Sequence, residues 1–120
     1  MLKIGLENIK CLSYHGVLDA ERVNGNNFIV NIHVWYKTKS EFEEDQLSDT
    51  YDYSLLNKIV MEEMSVSVYL LENVAFRIIN KVKDTDKRVK KVYIKIQKPN
   101  PPLKGDIQYS FVEIKKKVNR

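Results

Sequence analysis

Hydrophobic residues alternate in four separate stretches of the chain, and this period of two constrains the fold more than any other feature. Residues 2–12 and 28–37 alternate before the region with helical periodicity, and residues 89–98 and 107–118 alternate after it. Alternation places successive side chains on opposite faces of a strand. The chain order is therefore ββααββ. This order predicts an α+β domain in which two helices cover one face of an antiparallel four-stranded sheet.

The helical region divides into two segments. Ser54 is the predicted N-cap of the first helix, which continues to Met64. The second helix follows the 3.6-residue period from Leu71 to Val82. Residues 65–69 are rich in serine and β-branched side chains, so they are expected to separate the helices. In the first strand, the alternation breaks between Leu6 and Ile9, which indicates a β-bulge.

The length of the chain bounds the size of any binding site. With 120 residues, 43% hydrophobic and 30% charged, the chain is predicted to form one soluble domain over residues 1–120. A domain of this size has little surface for a deep pocket of its own.

Trp35 and Tyr93 fall on the sheet face away from the predicted helices. A second subunit is the simplest cover for them, so we expect a homo-oligomer with shared sites, although a monomer remains open.

Several classes of protein are disfavoured by composition. The single cysteine, Cys11, has no partner for an internal disulfide, and two histidines far from it give no spacing for a zinc site. No stretch approaches the ~18 to 20 apolar residues of a membrane span. We therefore predict a cytoplasmic protein without a metal, a cofactor or a membrane contact. The net charge of +4 is mild, although Lys87–Lys91 and Lys115–Lys117 are basic runs.

A lysine stands where an alternating strand meets three prolines. Val92, Ile94 and Ile96 share one face of that strand, and Lys98 falls on the same inward face before Pro99. Proline has no N–H donor, so the ladder is expected to stop there. An amine held at the rim of an apolar surface has a lowered pKa and can exchange protons near neutrality. The alternative is a solvated strand-end lysine.

Three further polar residues have distinctive settings. Glu72 lies near a helix N-terminus, where free N–H groups and the helix dipole favour an anion. Tyr53 lies at the start of the other helix, and Glu21 lies in the polar loop of residues 17–26. Each also has an ordinary interpretation, respectively as a helix-stabilising acid, a buried phenol and a surface acid.

Taken together, these settings resemble the dihydroneopterin aldolase family. The resemblance covers the whole chain in order, through Tyr14-His15-Gly16-Val17-Leu18, Glu21-Arg22, Asp49-Thr50, Tyr53-Ser54, Tyr69-Leu70-Leu71-Glu72-Asn73-Val74-Ala75 and Lys98-Pro99-Asn100-Pro101-Pro102. It implies the tunnelling fold (T-fold), in which four chains form a barrel-like ring and two rings stack into an octamer. It also implies a step of folate biosynthesis: cleavage of 7,8-dihydroneopterin into 6-hydroxymethyl-7,8-dihydropterin and glycolaldehyde, with epimerisation as a side activity.

The resemblance also implies roles for individual residues. Lys98 would be the principal general acid and base, Tyr53 would assist proton transfer, and Glu21 would orient the substrate hydroxyls or Lys98. The N5=C6 bond of the dihydropterin can accept the electrons that C–C cleavage releases, so neither a Schiff base nor a metal is required.

The substrate-binding roles come from the same resemblance. Glu72 would hold the amino-pyrimidine edge of the pterin, helped by the backbone near Leu71. Thr50 and Tyr51 would line the pocket from the neighbouring subunit. The sequence departs from the family pattern at Asn26, where glutamine is common, and Tyr51 is bulky for a pocket wall.

Two alternative functions remain open at this point. A dihydroneopterin triphosphate epimerase of the same fold would act at the same side chain, with Lys104 as a candidate phosphate contact. A non-catalytic nucleic-acid-binding module would use the basic runs and would stack bases on Tyr93 or Tyr109. The second alternative leaves the joint placement of Glu21, Tyr53, Glu72 and Lys98 unexplained, and we expect no nucleic-acid partner.

Overall fold

Four antiparallel strands form one sheet, and strands that are consecutive in the chain are neighbours in it. The structure is a computed structural model that describes all residues, 1–120. The strands are β1 (Leu2–Ser13), β2 (Asn26–Tyr36), β3 (Val89–Pro99) and β4 (Tyr109–Lys117). All four predicted strands are confirmed, with ends displaced by no more than two residues.

The predicted bulge in β1 is confirmed. The register between β1 and β2 shifts between Leu6 and Ile9, so two residues of β1 face one residue of β2. Asn8 has a positive φ of 58°, a conformation that asparagine tolerates better than most residues. Its N–H donates to Oδ1 of Asn31 at 2.7 Å, so the donor that the bulge removes from the ladder stays satisfied.

The helices differ from the prediction in one respect. They are α1 (Asp19–Asn24), α2 (Tyr53–Met64) and α3 (Leu71–Thr85), with one 3₁₀ turn at Leu47–Asp49. The predicted order ββααββ was wrong in omitting α1, a six-residue helix that buries no residue and so gives no hydrophobic period. The predicted cap at Ser54 was also wrong. Asp52 is the N-cap of α2, and its side chain accepts the Ser54 N–H at 2.9 Å.

The helices α2 and α3 pack on one face of the sheet, as predicted. The core between them and the sheet contains Val30, Ile32 and Val34 of β2 and the matching inward positions of β3, all fully buried. Burying one such aliphatic side chain stabilises the fold by about 1.5–3 kcal/mol. Arg77 of α3 also pairs with the buried Glu63 of α2, with Nε 2.9 Å from Oε1. The opposite sheet face carries no helix, and no helix is long and apolar enough to span a membrane.

The end of β1 is fastened to the segment between α2 and α3. The Gly16 N–H donates to the Val68 carbonyl at 2.9 Å, and the Val68 N–H donates to Nδ1 of His15 at 3.3 Å. The Ser67 hydroxyl donates to the carbonyl of Tyr14. His15 is buried and packs on Phe28, with 5.4 Å between ring centroids. We call this set of contacts the β1 latch.

The β1 latch is expected to weaken in acid. Burial, with the nearby Arg77 guanidinium, lowers the pKa of His15 from 6.5 to about 4. The unfolded chain therefore binds a proton at a higher pH than the folded chain does. As the pH falls from about 6.5 to about 4, this group should lower the free energy of unfolding by up to about 3 kcal/mol. Urea denaturation at a series of pH values in this range measures the decrease in the free energy of unfolding.

His15→Asn keeps an acceptor for the Val68 N–H but removes the titration, so its unfolding free energy should fall less steeply over the same range. His33→Gln is the matched control, because it removes the other histidine and leaves the β1 latch intact. Identical slopes for the wild type and His15→Asn would contradict the prediction.

Candidate active site

Lys98 lies where the prediction places it, on the inward face of β3 beyond the fully buried Ile96. Its side chain is only 12% exposed, and burial lowers the pKa of Lys98. The ladder runs one residue further than predicted, since Pro99 still pairs with Tyr109. The Asn26 side chain donates to the Pro99 carbonyl at 3.2 Å, which fixes the backbone beside the lysine.

The charged partner of Lys98 is Glu21, which α1 supplies. The two side chains form an ion pair, and that of Glu21 is only 14% exposed. The other carboxylate oxygen accepts the Leu18 N–H at 3.2 Å, which ties the acid to the start of its own helix. Gly16 makes room for this arrangement. Its φ of 151° lies in a region that favours glycine, and a Cβ there would come within 2.6 Å of the Glu21 side chain.

Arg22 holds the loop around Glu21 in place. Its guanidinium donates to the carbonyls of Gly16 and Val17 at 2.8 and 2.7 Å, and it also pairs with Asp19. The same guanidinium stacks over the ring of Tyr69, 4.5 Å from the centroid. The loop that carries Glu21 is therefore connected to the segment that leads into α3.

Glu72 is the second residue of α3 and is exposed to solvent. The residue before the helix, Leu70, provides no side-chain cap. The first-turn N–H groups of Leu71 and Glu72 therefore remain free to bind a ligand. This helix start combines a carboxylate acceptor with backbone donors.

These residues line one cleft of about 280 Å³. Lys98 and Glu21 lie in the same cleft as Leu71 and Glu72, so the structure brings together four of the seven predicted site residues. The other lining residues are His15, Gly16, Val17, Phe28, Tyr69, Leu70, Ser110, Phe111 and Val112. The cleft therefore offers an acid–base pair, a carboxylate with free N–H groups, and aromatic and aliphatic walls.

The other three predicted residues lie in a different cleft. Thr50, Tyr51 and Tyr53 line a space of about 600 Å³ beside Leu2 and Ile4 at the start of β1. Leu2 pairs with Tyr36, and Tyr36 pairs with Val89, so this cleft is at the end of the sheet opposite Lys98. Nine residue steps of β3 separate the two ends, a length of about 30 Å. One chain does not bring the two groups together.

Tyr51 is more buried than a pocket wall would be. Only 3% of the residue is exposed, and its hydroxyl bonds to the Thr85 hydroxyl at 2.8 Å. Burial raises the pKa of the Tyr51 phenol. Tyr53, by contrast, is 60% exposed at the first position of α2. The Tyr51 phenol therefore faces the core, while the Tyr53 phenol is free to meet another molecule.

Sequence reasoning did not identify some lining residues. Phe111 and Val112 come from β4, and their alternation had indicated only a strand. Phe28 lies on the inward face of β2 and is fully buried. His15 belongs to the motif Tyr14-His15-Gly16, and its Nδ1 accepts the Val68 N–H. No group of three His, Cys, Asp or Glu side chains is arranged to hold a metal ion.

Comparison with known proteins gives consistent results. The profile of the dihydroneopterin aldolase (FolB) family matches residues 4–115. A relative from Arabidopsis thaliana, named probable dihydroneopterin aldolase 3, is 34% identical over 98% of this chain and 74% of its own length. The E. coli dihydroneopterin aldolase, crystallised with neopterin, superimposes with a TM-score of 0.86 at 19% identity and covers 97% of this chain and 99% of its own.

A third protein has the same fold. Dihydroneopterin aldolase from Burkholderia thailendensis, crystallised with guanine, has a TM-score of 0.80 at 20% identity, covering 98% of this chain and 92% of its own. The likeness to the two solved structures confirms the α+β fold that the sequence predicts for the subunit. The match to the family profile over almost the whole chain, with the Arabidopsis relative at 34% identity, shows that this chain belongs to the dihydroneopterin aldolase family.

Proposed function

We propose that this chain cleaves 7,8-dihydroneopterin by a retro-aldol reaction that yields 6-hydroxymethyl-7,8-dihydropterin and glycolaldehyde. Family membership supports the reaction class. The observation that carries the assignment is the shared cleft, in which the Lys98–Glu21 ion pair faces the same space as Glu72. An acid–base group and a heterocycle-binding group are the two components that this reaction needs.

The start of α3 is suited to a pterin ring. A pterin presents an amino group and ring nitrogen donors next to a carbonyl, and Glu72 with the free N–H groups of its turn offers complementary acceptors and donors. The E. coli relative was crystallised with neopterin and the Burkholderia relative with guanine. These two ligands share the same amino-pyrimidine edge. We therefore assign Glu72 and the Leu71 backbone to recognition of that edge.

The cleavage step requires one proton to be removed and one to be supplied. A base takes the proton of the 2′-hydroxyl, the C1′–C2′ bond breaks, and glycolaldehyde leaves. The electron pair of that bond moves into the N5=C6 imine while a proton is supplied to N5, which gives an enamine with a proton on N5. Protonation of C1′ and loss of the N5 proton then restore the imine and complete the hydroxymethyl group.

Lys98 is suited to both transfers. Its lowered pKa makes the uncharged amine easier to form near pH 7. The amine can therefore accept a proton and then return it. The ion pair with Glu21 holds the amine in one orientation. We assign Lys98 as the principal acid and base, and Glu21 as the carboxylate that orients Lys98 or the substrate hydroxyls.

We further propose that the complete site forms between two chains. The cleft at Lys98 is small for a pterin with its side chain, because ligand sites usually measure about 300–1,000 Å³. Its rim is apolar and exposed at Leu70 and Phe111. In a ring of four chains, and in an octamer of two rings, the cleft at Thr50 and Tyr53 would close the cleft at Lys98 of the next chain.

In this arrangement Tyr53 supplies an exposed phenol that assists proton transfer, and Thr50 lines the pocket. Tyr51 would contribute through its backbone, because its side chain faces the core. The hydrogen bonds of this loop leave both polar backbone groups of Tyr51 without a protein partner.

A turnover assay on 7,8-dihydroneopterin in the presence of EDTA tests the proposed function. We expect both glycolaldehyde and the hydroxymethyl pterin, measured by chromatography. An epimerised pterin without cleavage would instead assign the chain as an epimerase. Unchanged substrate without pterin binding would overturn the proposal.

Two substitutions in the cleft should have different kinetic effects. Lys98→Ala should lower kcat by about 10²- to 10⁴-fold with a small change in pterin affinity, because it removes proton transfer. Glu72→Ala should chiefly weaken pterin binding, by roughly a hundredfold, because it removes charge-assisted hydrogen bonds. Steady-state kinetics and titration with neopterin separate the two effects. Near-native turnover by Lys98→Ala would contradict the proposed mechanism.

Mixed oligomers should show that two chains share the site. Lys98→Ala and Tyr53→Phe should each have low activity in homogeneous assemblies. After the two variants are dissociated, mixed in equal amounts and reassembled, about a quarter of the sites combine a native Lys98 with a native Tyr53. We therefore expect about a quarter of wild-type activity. Mixing Lys98→Ala with Glu72→Ala is the control, since both changes lie in the same half of the site and should give no recovery.

A further inference from the structure

A second cleft lies on the face of the sheet that no helix covers. It measures about 510 Å³ and is lined by Lys3, His33, Trp35, Tyr93, Glu113 and Lys115. None of these residues lines the cleft that contains Lys98. The proposed aldolase chemistry gives them no role.

Three lysines converge on the indole ring of Trp35: Lys3 and Lys115, which line the cleft, and the neighbouring Lys91. The ammonium nitrogens of Lys91, Lys3 and Lys115 lie 4.3, 5.2 and 5.4 Å from the centroid of the Trp35 ring. Lys3 and Lys91 flank Trp35 directly in register, one on each neighbouring strand. None of the three lysines has a carboxylate within 4.0 Å. Three ammonium groups therefore lie within 5.4 Å of one ring centroid, and none of them forms a salt bridge.

The two acids at this cleft are each bound to one of its aromatic side chains. Glu7 contacts Nε2 of His33 at 2.6 Å, and Glu113 accepts the hydroxyl of Tyr93 at 2.5 Å. His33 and Tyr93 stack on each other, with 4.8 Å between centroids. This aromatic and acidic network forms one wall of the cleft and leaves the lysines available to an anion.

Strand alternation explains how the two basic runs contribute. Lys91 and Lys115 approach Trp35 on the uncovered face, whereas Lys116 reaches Phe76 of α3 on the other face. Lys90 instead donates to the carbonyl of Arg120 at 3.0 Å. The runs are therefore not one continuous basic surface, which argues against a track for a long nucleic acid.

We propose that this cleft binds a small oligophosphate, such as the triphosphate chain of a nucleotide or free tripolyphosphate. Three ammonium groups around one centre can contact consecutive phosphates of one chain simultaneously. The lysines already cover the Trp35 ring, so the cleft offers charge rather than an open surface for base stacking. The shared chemistry that it recognises is the phosphate chain. The proposal does not depend on the proposed function.

The single tryptophan makes the cleft directly observable. Trp35 is the only indole in the chain, so its fluorescence reports on this cleft alone. Titration of the full-length protein with sodium tripolyphosphate at low ionic strength should give a saturable change in emission. Isothermal titration calorimetry should give the same affinity. Added salt should weaken binding, because it screens the ammonium–phosphate contacts.

Matched variants locate the site. Lys91→Ala and Lys115→Ala should each weaken tripolyphosphate binding by about tenfold, since each removes one charge-assisted contact. Lys58→Ala is the control, because it removes the same charge from an exposed position on α2 and should leave the affinity unchanged. Equal weakening in all three variants would mean general charge attraction and would overturn the proposal.

Further ligands distinguish the sources of the phosphate chain. ATP and tripolyphosphate should bind with similar affinity, and adenosine should leave Trp35 emission unchanged. Binding of ATP and adenosine without binding of tripolyphosphate would overturn the proposal in favour of a nucleoside site. Much tighter binding of a single-stranded oligonucleotide, increasing with its length, would overturn it in favour of a nucleic-acid surface. Absence of a saturable response to tripolyphosphate at millimolar concentration would also overturn it.

Discussion

The helices α2 and α3 cover one face of the sheet only, and the position of a residue along its strand therefore decides its surroundings. On β3 the even-numbered residues from Val92 to Ile96 enter the core, and the same parity delivers Lys98 to the cleft at the strand end. The odd-numbered Lys91 and Tyr93 reach the uncovered face. A slip of one residue in the pairing of β3 would exchange these two faces. Both clefts thus depend on the same strand register.

The cleft at Lys98 also depends on contacts between segments that are distant in sequence. The β1 latch joins the end of β1 to the segment before α3, and Arg22 stacks on Tyr69 of that segment. Glu21 and Glu72 thereby line the same cleft, although they belong to different helices. Within the latch, the buried His15 ring has a backbone partner for Nδ1, whereas its Nε2 has none.

Much of the fold was predictable because its elements have strong periodic patterns. The four strands and α3 follow from hydrophobic alternation and the helical period, and even the bulge before Ile9 was visible. The helix α1 was not predictable, because a short helix without buried residues has no hydrophobic period. The cap of α2 was misplaced, because Asp52 and Ser54 are both good cap residues and only the backbone geometry distinguishes them. Lys98, Glu21, Leu71 and Glu72 were placed together correctly. Their chemical roles, and those of Tyr53, Thr50 and Tyr51, stay predictions. The distance between these two groups of residues could not be predicted, because the sequence patterns do not give the separation of two clefts in space.

The two ends of α3 touch the two separate clefts. Glu72 lies in its first turn, and Thr85 at its last residue bonds to Tyr51 beside the other cleft. A helix advances 1.5 Å and turns 100° for each residue. One residue inserted into α3 would therefore rotate Glu72 away from its cleft or break the bond between Thr85 and Tyr51. The exposed loop of residues 102–108 carries no such constraint. Insertions and deletions should therefore be tolerated in that loop but not in α3. The fifteen residues of α3 set the distance and the rotation between the two clefts.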